Sequence, residues 1–284
     1  MKKSLLALAT MFAASSVFAS NVIIDGPVDT NSIRVASYNI MASRMGDTQV
    51  IRDAIKAIDA DIIGLQEVDN NTGRSAANFG GSNTTPVNQA KYIADELGMN
   101  FVFCEAIEFD GGKYGTAILS KHPIKLIEHM YLPNMEGKEQ RSACSVEVNI
   151  PGYPAPIAAI TTHLDHTDTA LRMAQVRTLN DAFSTWQLPN ALPIIIGDLN
   201  LTPVNPEYVE LQSWFTPVDH EDLTYTAPSW NPDRKIDYIL TSNAQQWDIE
   251  NIEVPKPTDK VSGKAWHEIA DHLPLIVDMK LEEK

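Results

Sequence analysis

Ile194-Ile195-Ile196-Gly197-Asp198-Leu199-Asn200 is the stretch from which the rest of this chain can be read. The apolar run reads as a strand, and it ends abruptly in a glycine, a carboxylate and an amide. Alone, Gly-Asp-Leu-Asn is a turn, because Gly, Asp and Asn all suit turn geometry. The same kind of ending recurs along the chain. Asn39 closes Val35-Ala36-Ser37-Tyr38-Asn39, Glu67 closes Ile62-Ile63-Gly64-Leu65-Gln66-Glu67, and His163 and Asp165 follow Ile160-Thr161-Thr162. Asp237 lies inside Lys235-Ile236-Asp237-Tyr238-Ile239, and Asp271-His272 precedes Leu273-Pro274-Leu275. Each segment singly is explained by a turn, a solvated strand end or a strand's solvent face. Their joint occurrence is not. A rigid strand end is a good place to fix a catalytic group. Carboxylates, Asn and His without Cys favour a hard, oxygen-preferring ion such as Mg²⁺ or Mn²⁺.

Outward from this stretch, strand-like runs recur at 33–40, 62–68, 101–106, 116–120, 143–150, 157–163, 194–197, 236–240 and 274–279. Helical periodicity is clearest over 50–58, where Val50, Ile51, Ala54, Ile55 and Ile58 share a face, and continues at 90–97 and 170–186. Few helices scattered among many strands predict mixed sheets with outer helices, not a parallel doubly wound fold. The Gly/Asn/Ser/Thr-rich stretch 69–88 is too long for a plain connection, and long loops in compact domains are often functional. No repeat and no linker divides the chain, so one domain is expected over 32–284, after a short extension at 20–31.

With 44% hydrophobic and 21% charged residues among 284, the chain is not disordered, collagen-like or coiled-coil. Its 22 Lys+Arg against 37 Asp+Glu give a net charge of −15, which lacks the electrostatic footprint of a general nucleic-acid binder. Lys2 and Lys3, an apolar stretch to about Phe18 and Val17-Phe18-Ala19 form the three-part pattern of a signal peptide. Cleavage is expected after about Ala19, which predicts an extracytoplasmic protein, periplasmic or secreted. Losing Lys2 and Lys3 and no acid takes the balance of 22 against 37 from −15 to −17. No second apolar run is long enough to span a bilayer. Cys104 and Cys144 sit in strand-like runs, and two buried free thiols are as compatible with the sequence as one bridge.

In order and spacing, Gln66-Glu67, Gly197-Asp198-Leu199-Asn200, Ile236-Asp237-Tyr238 and Asp271-His272-Leu273-Pro274 resemble the endonuclease/exonuclease/phosphatase superfamily. The resemblance runs from Val35 through Met279. It implies a four-layer α/β sandwich, two packed mixed β-sheets flanked by helices, with the site at one end. It also implies metal-assisted hydrolysis of a phosphoester. By resemblance, Glu67 is the principal metal carboxylate, Asn39 supports it, and Asp271 lies at or beside the Mg²⁺ or Mn²⁺. Asp198 orients or deprotonates the attacking water, and Asn200 binds a phosphoryl oxygen. His272 is a general base or a charged stabiliser, held in one tautomer by Asp237, and His163 contacts phosphate or leaving group. A bacterial branch of the superfamily is similar around Thr162-His163-Leu164-Asp165-His166, Arg74-Ser75 and Gly111-Gly112-Lys113-Tyr114-Gly115. That likeness has Asp165 orienting His163 and Tyr114 lining the pocket. Arg74 and Arg141 are either phosphate clamps or surface ion pairs, and Arg172 is expected in a structural pair on its helix.

The substrate reading that follows is a small or lipid-headgroup phosphoester, acted on by a monomer. A secreted nuclease is the alternative, disfavoured by charge, since phosphate contacts supply much of a nuclease's affinity. A sphingomyelinase would want an apolar membrane hairpin, and little beyond Trp214-Phe215 answers to one. A binding module that kept the fold and lost catalysis predicts missing site residues, and none is missing.

Overall fold

Alternation along the strands decides the layers. In the computed structural model, which describes residues 30–185, 187–219 and 224–283, Ile194 and Ile196 pack with Val35, Ile62, Ile118, Ala159 and Val277. Ile195, between them, packs instead with Ala158, Ile160, Val176, Leu179 and Phe183. A period-two strand buried on both faces must lie in an inner layer. The signal-peptide reading, most of the 20–31 extension, Trp186 and His220 fall outside the described residues.

The strands are β1 (Ile33–Asn39), β2 (Ile62–Asn70), β3 (Asn100–Phe109), β4 (Gly112–Ser120), β5 (Ile124–Tyr131), β6 (Ser142–Val148) and β7 (Ile157–His163). They continue as β8 (Leu192–Asp198), β9 (Phe215–Pro217), β10 (Asp237–Ser242), β11 (Gln246–Glu253), β12 (Lys260–Val261), β13 (Lys264–Ala265) and β14 (Leu275–Glu283). The helices are α1 (Thr48–Ile58), α2 (Gly73–Ala77), α3 (Gln89–Leu97), α4 (Thr169–Phe183) and α5 (Pro206–Leu211). One six-stranded sheet runs β11-β14-β1-β2-β4-β3, and the other runs β5-β6-β7-β8-β10-β9. Both are mixed: β1–β2 and β7–β8 are parallel, and the other pairs within them are antiparallel. α1 and α3 cover the first sheet through Ile51, Ile55, Ile58, Ala90 and Ile93, and α4 and α5 cover the second through Val176, Leu179 and Leu211. This is the expected four-layer α/β sandwich. Asp47, Asn88 and Asp168 start α1, α3 and α4 by accepting the N–H of the third helical residue, which fixes where each helix begins.

The two parallel pairs place the site. Parallel strands end on the same side, so Asn39 and the Gln66-Glu67 step finish together, as do His163 and Asp198, which are register partners. β10 runs antiparallel to β8, so its first residue, Asp237, lies directly opposite Asp198. Gly197 has no freedom to be anything larger: a Cβ there would sit 2.4 Å from the Thr162 carbonyl oxygen of β7. Cys104 on β3 and Cys144 on β6 form a disulfide that ties the two sheets together, so the free-thiol alternative is not realised. Among the described residues no helix is long and apolar enough to cross a membrane.

Candidate active site

Asn39 is the hinge of the site. Fully buried at the end of β1, its Nδ2 donates to Glu67 Oε1 at 3.2 Å and to Asp198 Oδ2 at 3.1 Å, joining the two sheets. Its Oδ1 accepts from the Met41 N–H at 3.0 Å, which pins the turn that follows. That turn is strained: Met41, Ala42 and Ser43 all have positive φ, at 50°, 49° and 57°. Three successive non-glycine residues in this region persist only where surroundings over-determine them. The surroundings are Gln89, whose Nε2 reaches Ala42 O at 3.2 Å and Ser43 Oγ at 2.9 Å, and Asn78, whose Nδ2 reaches Ala42 O at 3.1 Å. Glu67 (φ 55°), at an irregularity in the β2–β4 register, and Asn200 (φ 50°), after β8, share this conformation.

Asp198 stands at the centre. Its Oδ1 accepts from the Asn200 N–H at 2.9 Å. Its Oδ2 lies 3.5 Å from His163 Nε2 and 3.7 Å from His272 Nε2, beyond firm hydrogen bonds but within strong charge coupling. Burial, then Asp237 across the ladder, pushes its carboxyl up to about 7. His272 Nδ1 bonds Asp237 Oδ2 at 2.8 Å, so its Nε2 faces Asp198. Burial pulls His272 down, but the carboxylates of Asp237 and Asp198 outweigh it and raise the imidazole to about 10. His163 is the opposite case: burial, then the positive charges of Arg141 and His272, hold it well below the usual histidine range. One end of the sandwich therefore carries a neutral imidazole, a charged imidazole and a carboxylate poised near neutrality. Environments that drive titratable partners apart mark acid–base sites.

Asp198, Asp237 and His272 also have ligand atoms within 4.8 Å of one another. Within this group His272 Nδ1 is already bonded to Asp237 Oδ2, and its Nε2 lies 3.7 Å from Asp198 Oδ2. The oxygen donors suited to a cation lie beside it. Glu67 Oε2 faces Arg44 Nη2 at 3.3 Å, and Asp271 Oδ1 is buried with no hydrogen-bond partner. Burial holds the Asp271 carboxyl up, His272 pulls it down, and Glu67 pushes it up again.

The remaining sequence-read residues divide. Tyr114 and Arg141 line a crevice beside His163; burial, then Glu67 and Glu139, hold the Tyr114 hydroxyl well above its ordinary value. Arg74 is no open clamp: Nε and Nη2 each donate to buried Asp69 at 2.8 Å, and its guanidinium stacks on Phe109 and Tyr114. Asp165 does not orient His163, because its Oδ1 accepts from Thr167 N at 2.8 Å and Asp168 N at 2.7 Å and shapes the loop into α4. Asn200 Nδ2 donates to Leu164 O at 3.1 Å, which aligns the amide and leaves its second hydrogen for a substrate. Arg172 pairs with buried Glu207 at 3.0 Å, the structural use expected. Sequence reading passed over Arg44, Gln89 and Thr226. Thr226 is buried; its Oγ1 donates to Asp237 Oδ2 and its carbonyl accepts from Leu273 N at 2.8 Å, so it grips both the His272 loop and the Asp237 carboxylate.

Comparison with known proteins places the chain among relatives of the same fold. The chain is 26% identical over 237 residues to the uncharacterised protein YbhP of Escherichia coli (strain K12), covering 81% of this chain and 87% of that one. Among solved structures, a mannosyl-6-phosphatase of Bacteroides thetaiotaomicron VPI-5482 superposes with a TM-score of 0.64 at 18% identity, covering 87% of this chain and 99% of that one. D. rerio TDP2 complexed with single-strand DNA product superposes with a TM-score of 0.62 at 17% identity, covering 88% and 100%. The Endonuclease/Exonuclease/phosphatase family model matches residues 36–262. With most of its length matched, this chain belongs to the endonuclease/exonuclease/phosphatase family.

Proposed function

We propose that this protein is a divalent-metal-dependent hydrolase of phosphoester bonds in a compact substrate. The observation that carries the reading is Asp198, whose one carboxylate meets Asn39, His163 and His272 at the mouth between the sheets. The residues present fit a hard cation. Glu67, Asn39 and Asp271 offer oxygen donors, and Asp271 Oδ1 is a buried orphan in want of a partner. These three would hold Mg²⁺ or Mn²⁺, which when bound polarises a phosphoryl oxygen and offsets charge there. The protein's own groups supply the rest. Asp198 Oδ2 accepts a proton from the attacking water. His272, kept in one tautomer by Asp237 and charged, lies where negative charge grows on the phosphoryl group. His163, neutral, donates or accepts a hydrogen bond at the opposite side, and the second Nδ2 hydrogen of Asn200 holds a phosphoryl oxygen.

The compact substrate follows from charge pairing. Arg44, Arg74, Lys113 and Arg141 are each already paired, with Glu67, Asp69, Glu105 and Glu139. A long polyanion needs unpaired cations along its track, and the chain's balance of −15 offers little long-range attraction. A neighbour named as a sugar phosphatase is in keeping with this. The test is a substrate panel with purified protein and Mg²⁺: sugar phosphates, inositol phosphates, sphingomyelin, plasmid DNA and RNA. Preferential turnover of a small phosphoester is expected. Faster cleavage of plasmid DNA or RNA would replace this reading with the nuclease one.

A further inference from the structure

Between the sheets, the core turns polar as it nears the active end. Thr116 of β4, the register partner of Cys104, and Ser142 of β6, two residues before Cys144, both line a crevice there. The crevice, lined also by Tyr114, Arg141 and His163, measures about 10 Å³, room for roughly one oxygen-sized group. Its lining is unusual in one respect. Thr116 Oγ1, Ser142 Oγ and Arg141 Nε are buried atoms without a hydrogen-bond partner, on residues only 2%, 2% and 5% exposed. Arg141 gives Nη1 to Glu139 at 3.1 Å and Nη2 to His166 Nδ1 at 3.4 Å, while its Nε is buried without a partner. Buried polar groups are rarely left unpaired, so three around one small space point to something that fills it. The crevice communicates with the reacting centre through His163, which lines it and lies 3.5 Å from Asp198. Gly115 keeps the wall close: a Cβ there would sit 2.0 Å from the Cys104 carbonyl oxygen.

Resting on the phosphoesterase reading above, we propose that this crevice receives a terminal oxygen of a phosphomonoester and makes monoesters the substrate class. A monoester carries three unsubstituted oxygens. A diester carries two, which the cation and Asn200 of that reading already take, so its second organic chain would have to enter the crevice. An oxygen-sized crevice lined by residues with unpaired donors accepts a bare, charged oxygen and has little room for a chain. A site built to hydrogen-bond one group discriminates strongly against an analogue that lacks it, because its buried donors are then left unpaired.

The test compares p-nitrophenyl phosphate with bis(p-nitrophenyl) phosphate, at saturating Mg²⁺, for the wild type, Thr116→Val and Ser142→Ala. Wild-type kcat/KM is expected to favour the monoester, and each substitution to cut that preference by roughly tenfold. A wild type that prefers the diester overturns the proposal. So does an equal fall on both substrates, which would mean that the crevice holds only a structural water. Turnover of neither substrate would sink the phosphoesterase reading itself, whereas turnover of the diester alone sinks only this inference. A second measurement needs no variant to fold: inorganic phosphate should bind the wild-type protein with Mg²⁺ at least about tenfold more tightly than dimethyl phosphate. Equal affinities contradict the proposal.

Discussion

Asp237 Oδ2 takes hydrogen bonds from both His272 and Thr226, while Asp198 waits on the other side of the imidazole. Replacing His272 by Ala removes the charged group from this line but leaves the strands untouched. Turnover should drop by about 10²–10⁴-fold with normal far-UV circular dichroism; activity within a few-fold of wild type would show that the site is wrongly assigned. The same residue sets a pH signature on stability. Its folded value of about 10 lies above the ordinary 6.5, so its contribution is complete below pH 6.5 and is lost as pH rises through about 10. In chelator, the thermal midpoint should therefore fall between pH 7 and pH 10, and more steeply in the wild type than in His272→Ala. Equal slopes would contradict the coupling. Asp198, Asp237 and His272 were legible in the sequence because each lies at or beside an apolar strand with a chemically pointed side chain. Thr226 and Gln89 were not. A threonine or glutamine has no pattern of its own, and its role exists only when distant segments meet.

At the level of elements, the strands that sequence periodicity marked all formed, and the unmarked ones are informative. β5 is an edge strand whose middle is exposed, so its apolar residues follow no inward face. β11 begins with clean alternation at Trp247 and Ile249, but a register shift between Ile249 and Asn251 moves Ile252 out of phase. The 69–88 stretch hides α2 and the Arg74–Asp69 pair, which explains its length without a phosphate clamp. Gly197 belongs to this scale as well. In the sequence it is a turn former, but in the fold it permits β7 and β8 to approach. Gly197→Ala should destabilise the protein by about 1–3 kcal/mol in denaturant unfolding, as overpacking does, and should lower activity through the adjacent Asp198. Unchanged stability would mean that the β7–β8 contact is looser than described.

Across the whole molecule, two sheets must keep their faces in register for Asn39 to reach Glu67 and Asp198 at once. The Cys104–Cys144 bridge, spanning 40 residues of sequence, is the covalent tie between them. Its replacement by two alanines should cost about 2–4 kcal/mol of unfolding free energy, seen as a lower denaturant midpoint; no change would assign the bridge no stabilising role. The acid excess also takes on meaning at this scale, since Glu67, Asp198, Asp237 and Asp271 converge on one end of a molecule with net charge −15. On the proposed reading, a bound cation offsets this charge for an approaching phosphate. The most direct measurement is phosphate-ester hydrolysis by chelated, folded protein titrated with Mg²⁺ and Mn²⁺, beside Glu67→Gln. No turnover is expected without metal, with saturable recovery when it is added and a metal requirement shifted to at least about tenfold higher concentration in Glu67→Gln. Full turnover in chelator, or identical titrations for the two proteins, would contradict the proposed metal dependence.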